Sequence, residues 1–132
     1  MSIIEQARAH ERDYHENLYG SHELFELGTW LYKPTVYATR SFDLVQKRTN
    51  VRVLDLGGGV GRHTIPAAQH FGKGSEVVCV DLLASAIEKL GQNAKQHGVA
   101  ESVVGIQESN LTKLFNRGEQ KTKNELALVL TS

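Results

Sequence analysis

Apolar and polar positions follow two different rhythms along this chain, and the rhythm changes near residue 50. Residues 1 to about 19 read as a polar helix that Gly20 and Ser21 break. The stretch "SHELFELGTWLY" follows as a second helix, with Leu24, Phe25, Leu27, Trp30 and Leu31 as apolar anchors and Ser21 at its N-cap. Pro34 suits the first turn of a third helix. Val36, Ala38, Phe42, Leu44 and Val45 carry that helix to about Arg48. After the turn "TN", short apolar runs alternate with longer amphipathic ones. "VRVLDLG" is a strand, "VGRHTIPAAQHFG" a helix ending at Gly72, and "SEVVCVDL" a strand apolar almost throughout. "LASAIEKLGQNAKQHGV" is a helix closed by Gly98, "SVVGIQES" a weaker strand, and "ELALVLTS" a fourth. This alternation predicts an α/β fold with a parallel sheet of about three to four strands built from right-handed βαβ units. Residues 1–48 are expected to form an N-terminal helical unit and residues 49–132 the α/β unit.

Composition narrows this picture. The chain has 132 residues, 40% of them hydrophobic and 23% charged, which suits one small domain with a packed core. Fifteen basic residues balance fifteen acidic ones, so no global field points to nucleic acid or an anionic membrane. No apolar run approaches the roughly 20 residues of a membrane span, and the charged N-terminus has no apolar core of signal-peptide length. The single cysteine, Cys79, excludes a disulfide framework and reads as a small buried hydrophobe. A cytoplasmic protein is expected. None of the six histidines forms H-x-x-x-H or joins a cluster at ligand spacing, so no metal site is expected.

The chemistry concentrates in "VLDLGGGVGRH", Val53 to His63, where four glycines fall within five positions directly after a strand. Glycine there costs conformational entropy, so several together imply a backbone that passes close to something. The dinucleotide fingerprint G-x-G-x-x-G fails in every register: its third glycine falls at Arg62 or Thr64, or its second at Val60. The phosphate loop fails as well, because no lysine follows Gly61. What remains is D-x-G-x-G-x-G, formed by Asp55, Gly57, Gly59 and Gly61. Twenty residues after Gly61, Asp81 ends the strand "EVVCVD", where a carboxylate either caps the next helix or accepts from sugar hydroxyls.

This stretch resembles the first motif of the class I S-adenosylmethionine-dependent methyltransferases at each defining position. The resemblance implies a Rossmann-like sheet and S-adenosylmethionine as cofactor. It implies that Gly57, Gly58, Gly59 and Gly61 admit the ligand close to the backbone, and that Asp55 faces its ammonium directly or through water. Asp81 would accept from both ribose hydroxyls, with Leu82 beside the adenine. In "ESNLTKL" the family usually has an acidic residue four before a leucine. Here Asn110 stands at that position, its side-chain oxygen able to accept from the adenine amino group, with the Leu111 amide facing the ring. Glu108 is the rival if the strand register differs.

Such methyltransferases often carry a helical lid before the first strand, which the resemblance assigns to residues 1–48, with residues 49–132 as a partial Rossmann-like cofactor-binding domain. Tyr14, His15, Tyr19, His22 and Trp30 would supply aromatic cover for a sulfonium, or merely pack the lid. The resemblance covers roughly residues 50–114 and fades afterwards. A full member has a larger sheet, so the chain is expected to be truncated and to act as an enzyme only when completed by missing strands or a partner. An exposed apolar sheet face and an open edge beside "ELALVLTS" are expected, with a homodimer covering them. The expected function is methyl transfer to an unidentified acceptor. The alternative is a non-catalytic binding or assembly module that keeps the ligand.

Overall fold

Four parallel strands form one sheet in the computed structural model, a Rossmann-like arrangement with flanking helices. The structure describes residues 2–7, 9–10, 13, 23–29, 31, 33–45, 50–109, 113 and 126–131. The strands are β1 (Arg52–Leu56), β2 (Glu76–Asp81), β3 (Val103–Gln107) and β4 (Leu126–Thr131), lying side by side in the order β3-β2-β1-β4. The helices are α1 (Val36–Leu44), α2 (Thr64–Phe71) and α3 (Ala84–Gln96), with a short 3-10 turn over Ala100–Ser102 that the sequence pattern does not announce. Helical residues at 3–7 agree with the expected polar N-terminal helix. Tyr14, His15, Tyr19, His22, Trp30, Asn110 and Leu111 lie outside the described residues, so the expectations placed on them stand untested.

Register explains the core. Val53 pairs with Val77, and Val77 with Val103, while Asp55 pairs with Cys79, and Cys79 with Gly105. Because side chains alternate across a strand, these rows share one face and the neighbouring rows share the other. On the first face Val53 and Val77 pack with Ala67 and Ala68 of α2 and with Ala38 and Phe42 of α1. Cys79 on that face packs with Leu90 and Ala94 of α3. On the second face Leu54, Val78 and Val80 are fully buried, with Leu56, Val104 and Ile106 packed against them.

Three expectations are corrected. The stretch read as a helix from Ser21 runs through turns over the described residues 23–29. Phe25 has φ 64° and Gly28 φ 85°, both left-handed, which no continuous α-helix accommodates. Leu24 and Leu31 are buried against Val60 and Leu90, so docking overrides the helical spacing of the apolar residues. Pro34 does not open α1: Thr35 is its N-cap, the Oγ1 accepting from the Ala38 amide at 3.2 Å. The central strands show no exposed apolar face, since Leu54, Val78 and Val80 have 0% exposure.

The fourth strand departs from strict alternation. The pairing of β1 with β4 shifts between Arg52 and Val53, so Ala127 and Leu128 both pack against the first-face core. Such a bulge places an extra residue on one strand. Leu130 is fully buried, and Val129 is 38% exposed.

Candidate cofactor site

The site forms where β1, β2 and β3 end. Parallel strands bring their C-terminal ends to one edge, and the loops leaving them converge there. The Gly57 amide donates to the Val80 carbonyl at 2.7 Å, which registers the glycine turn on the end of β2. The Gly59 amide donates to Asp81 Oδ2 at 2.9 Å, and the Leu83 amide to Asp81 Oδ1 at 3.0 Å. The Glu108 amide donates to the Asp81 carbonyl at 2.9 Å, and Gln107 Nε2 to the Leu82 carbonyl at 3.0 Å. Residues 57–59, 81–83 and 107–108 are thereby tied into one surface with Asp81 at its centre.

The glycines serve distinct needs. Gly59 has φ 60° and Gly61 φ 111°, conformations that side chains rarely adopt. α2 starts at Thr64 rather than at Val60 as the sequence pattern predicts, and the positive φ of Gly61 bars an α-helix from running back to Val60. Gly58 is required by packing. A Cβ there would lie 2.5 Å from Asp55 Oδ2 and 2.5 Å from Cys79 Sγ. Gly58→Ala is therefore expected to destabilise the fold by about 1–3 kcal/mol or more, as overpacking does, read as a lowered midpoint in chemical denaturation.

Asp55 is fully buried beneath the turn, and its Oδ2 accepts from the Thr64 hydroxyl at 2.6 Å. It joins β1 to the first residue of α2. Cys79 is also fully buried, and burial, then the Asp55 charge, push its thiol well above the ordinary range. A thiol so placed stays protonated and unreactive. Asp81 is only 8% exposed, whereas Leu82 beside it is 38% exposed at the rim.

Several residues around the turn escape sequence reasoning. Asn93 of α3, 3% exposed, donates from Nδ2 to the Val60 carbonyl at 2.9 Å. Its signal was legible: it sits on the face of α3 that also buries Ala86, Leu90 and Ala94, and a polar side chain on such a face needs a partner. Gln107, Arg62 and His63 carry no comparable signal, because their contacts are made across the fold.

The family comparison decides the class: a model described as a methyltransferase domain matches residues 47–124. The chain belongs to the methyltransferase domain family. The class I, S-adenosylmethionine-dependent resemblance of Val53 to His63 agrees with that membership. Among curated relatives, the nocamycin O-methyltransferase of Saccharothrix syringae is 33% identical over 72 residues, covering 54% of this chain and 25% of the relative. The ubiquinone/menaquinone biosynthesis C-methyltransferase of Pectobacterium carotovorum is 33% identical over 60 residues, 46% of this chain and 24% of the relative. This methyltransferase domain thus spans about a quarter of the length of those relatives. Among solved structures, an RNA methyltransferase from Salinibacter ruber in complex with S-adenosyl-L-homocysteine superposes with TM-score 0.58 at 27% identity, covering 75% of this chain and 58% of that one. An S-adenosylmethionine-dependent methyltransferase from Agrobacterium tumefaciens gives TM-score 0.58 at 26% identity, over 73% of this chain and 30% of that one.

Proposed function

We propose that this methyltransferase domain binds S-adenosylmethionine at the C-terminal ends of β1 and β2 and presents it for methyl transfer. One observation carries the reading: the Asp81 carboxylate, at the end of β2, is fixed by the Gly59 amide on one oxygen and the Leu83 amide on the other. A carboxylate has about four acceptor sites, so two remain for the ribose hydroxyls. Leu82 offers an apolar surface next to it for the adenine. Gly59, with its left-handed backbone, puts no side chain between the turn and the amino-acid part. Asp55, buried below, holds the turn against α2 and acts on a ligand ammonium through the turn or a water. Asn110 and Leu111 complete the adenine side of this reading.

S-adenosylmethionine, when bound, supplies a methyl group on an already activated sulfonium. What the protein contributes is orientation and exclusion of water. Residues 49–132 serve as the cofactor-binding unit and residues 1–48 as a lid over it, supported by Leu24 and Leu31 packing against Val60 of the glycine turn. Calorimetry with S-adenosylmethionine, S-adenosylhomocysteine and NAD tests the reading. Saturable heat with the first two and none with NAD is expected, and binding of NAD alone overturns it.

The buried thiol of the single cysteine suits a reducing compartment, which favours the cytoplasm. Association of two copies through β4 belongs to the same proposal. Among the described residues β4 is an outer strand, and Val129 is exposed on it. Leu128 packs against the core, so a charge there would test folding instead. Light scattering over a concentration series is expected to give a dimer for the native chain and a monomer for Val129→Lys. A native chain that stays monomeric at high concentration contradicts it.

A further inference from the structure

The segment that enters α1 is fastened to the glycine turn by two neighbouring side chains. Arg62 Nε donates to the Lys33 carbonyl at 2.8 Å. The Thr35 amide donates to His63 Nε2 at 3.3 Å, and the Thr35 hydroxyl lies 3.4 Å from the same nitrogen. Thr35 Oγ1 meanwhile accepts from the Ala38 amide, capping α1. An amide can only donate, so this arrangement needs the lone pair on Nε2, with the ring proton of a neutral His63 on Nδ1. His63 is 5% exposed and stands directly before α2. Upstream of the same segment, Leu24 and Leu31 are buried against Val60, whose carbonyl α3 holds through Asn93. The turn is therefore gripped from the N-terminal segment, α2 and α3 together.

We infer, on the cofactor reading above, that Arg62 and His63 are positioning residues: they lock residues 33–35 onto the glycine turn, and the turn keeps its cofactor-binding shape while His63 Nε2 accepts from Thr35. Protonation of His63 puts a second donor opposite the Thr35 amide and breaks the lock. Burial, then the charge of Arg62, hold the His63 pKa below its ordinary value of 6.5. Among the described residues the charged group acting on the ring is Arg62 beside it, while the segment facing it presents the uncharged Thr35 amide and hydroxyl and an exposed Lys33. The sign follows from linkage. A base whose folded pKa is depressed contributes fully above its unfolded pKa, and that contribution is lost as pH falls through the folded value. Cofactor affinity is accordingly full at neutral pH and falls in mild acid.

The test is calorimetric titration of the full chain with S-adenosylhomocysteine from about pH 7.5 to about pH 5, on the native chain, His63→Ala and His63→Gln, with circular dichroism as a folding control. The native affinity is expected to drop in acid. His63→Ala should bind about three- to tenfold more weakly at neutral pH, the size of one neutral hydrogen bond. His63→Gln, whose amide oxygen accepts and does not titrate here, should restore neutral affinity and flatten the pH profile. Native and His63→Gln profiles of equal slope, or His63→Ala binding as the native chain does, overturn the positioning role and leave the cofactor reading intact. A native chain that binds no S-adenosylhomocysteine at any pH overturns both.

Discussion

Gly59→Val is expected to abolish detectable binding of S-adenosylmethionine while the chain stays folded. The backbone at Gly59 has φ 60°, and a branched side chain there meets the following carbonyl. A left-handed conformation costs an ordinary residue about 1–2 kcal/mol, and a β-branched one more. That cost is a fraction of the roughly 5–15 kcal/mol that holds a domain together, so folding survives in weakened form. Binding does not, because relief of the strain moves the Gly59 amide off Asp81 Oδ2 and the valine methyls stand on the turn where the ligand is proposed to lie. Gly59→Ala shares the strain without the branched bulk and should retain part of the affinity. Calorimetry with circular dichroism on both variants checks this. Native affinity in Gly59→Val removes the ligand from the turn.

Asp81→Ala should weaken binding by about 1.5–3 kcal/mol, the range for hydrogen bonds to a charged group, or roughly tenfold to more than a hundredfold. Two effects act together. The ribose loses its acceptors, and the Gly59 and Leu83 amides lose theirs, so the turn and the start of α3 are released from each other. Asp81→Asn keeps one acceptor oxygen but sets an NH2 against one of those amides, so its loss should be smaller. If Asp81→Ala binds as the native chain does, Asp81 is a brace between two loops and nothing more.

The contrast between these residues shows what a sequence can carry. The glycine spacing and the strand-ending Asp81 were legible because each is local: a strand, a turn and a helix fixed within a few residues. The reason for Gly58 was not, since it depends on the register that pairs Asp55 with Cys79 across two strands. The burial of Asp55 against Thr64 was not legible either, for the same reason. The apolar residues from Leu24 to Leu31 fit a helical period, yet the segment bends to seat Leu24 and Leu31 against the turn, with Phe25 left-handed. An exposed sheet face was expected, yet Leu54, Val78 and Val80 of the central strands are buried and the exposure falls on Val129 of β4. In β4 the register shift moves Ala127 to the core side, which alternation alone assigns elsewhere.

The central claim is that the glycine turn and Asp81 form the cofactor site, and mapping backbone amide resonances during titration with S-adenosylhomocysteine tests it most directly. Saturating shifts concentrated at Gly57, Gly59, Gly61, Asp81 and Leu82, with the Gly59 amide among the largest, are predicted. Saturable binding that leaves these amides unmoved, or no binding at all, would contradict it.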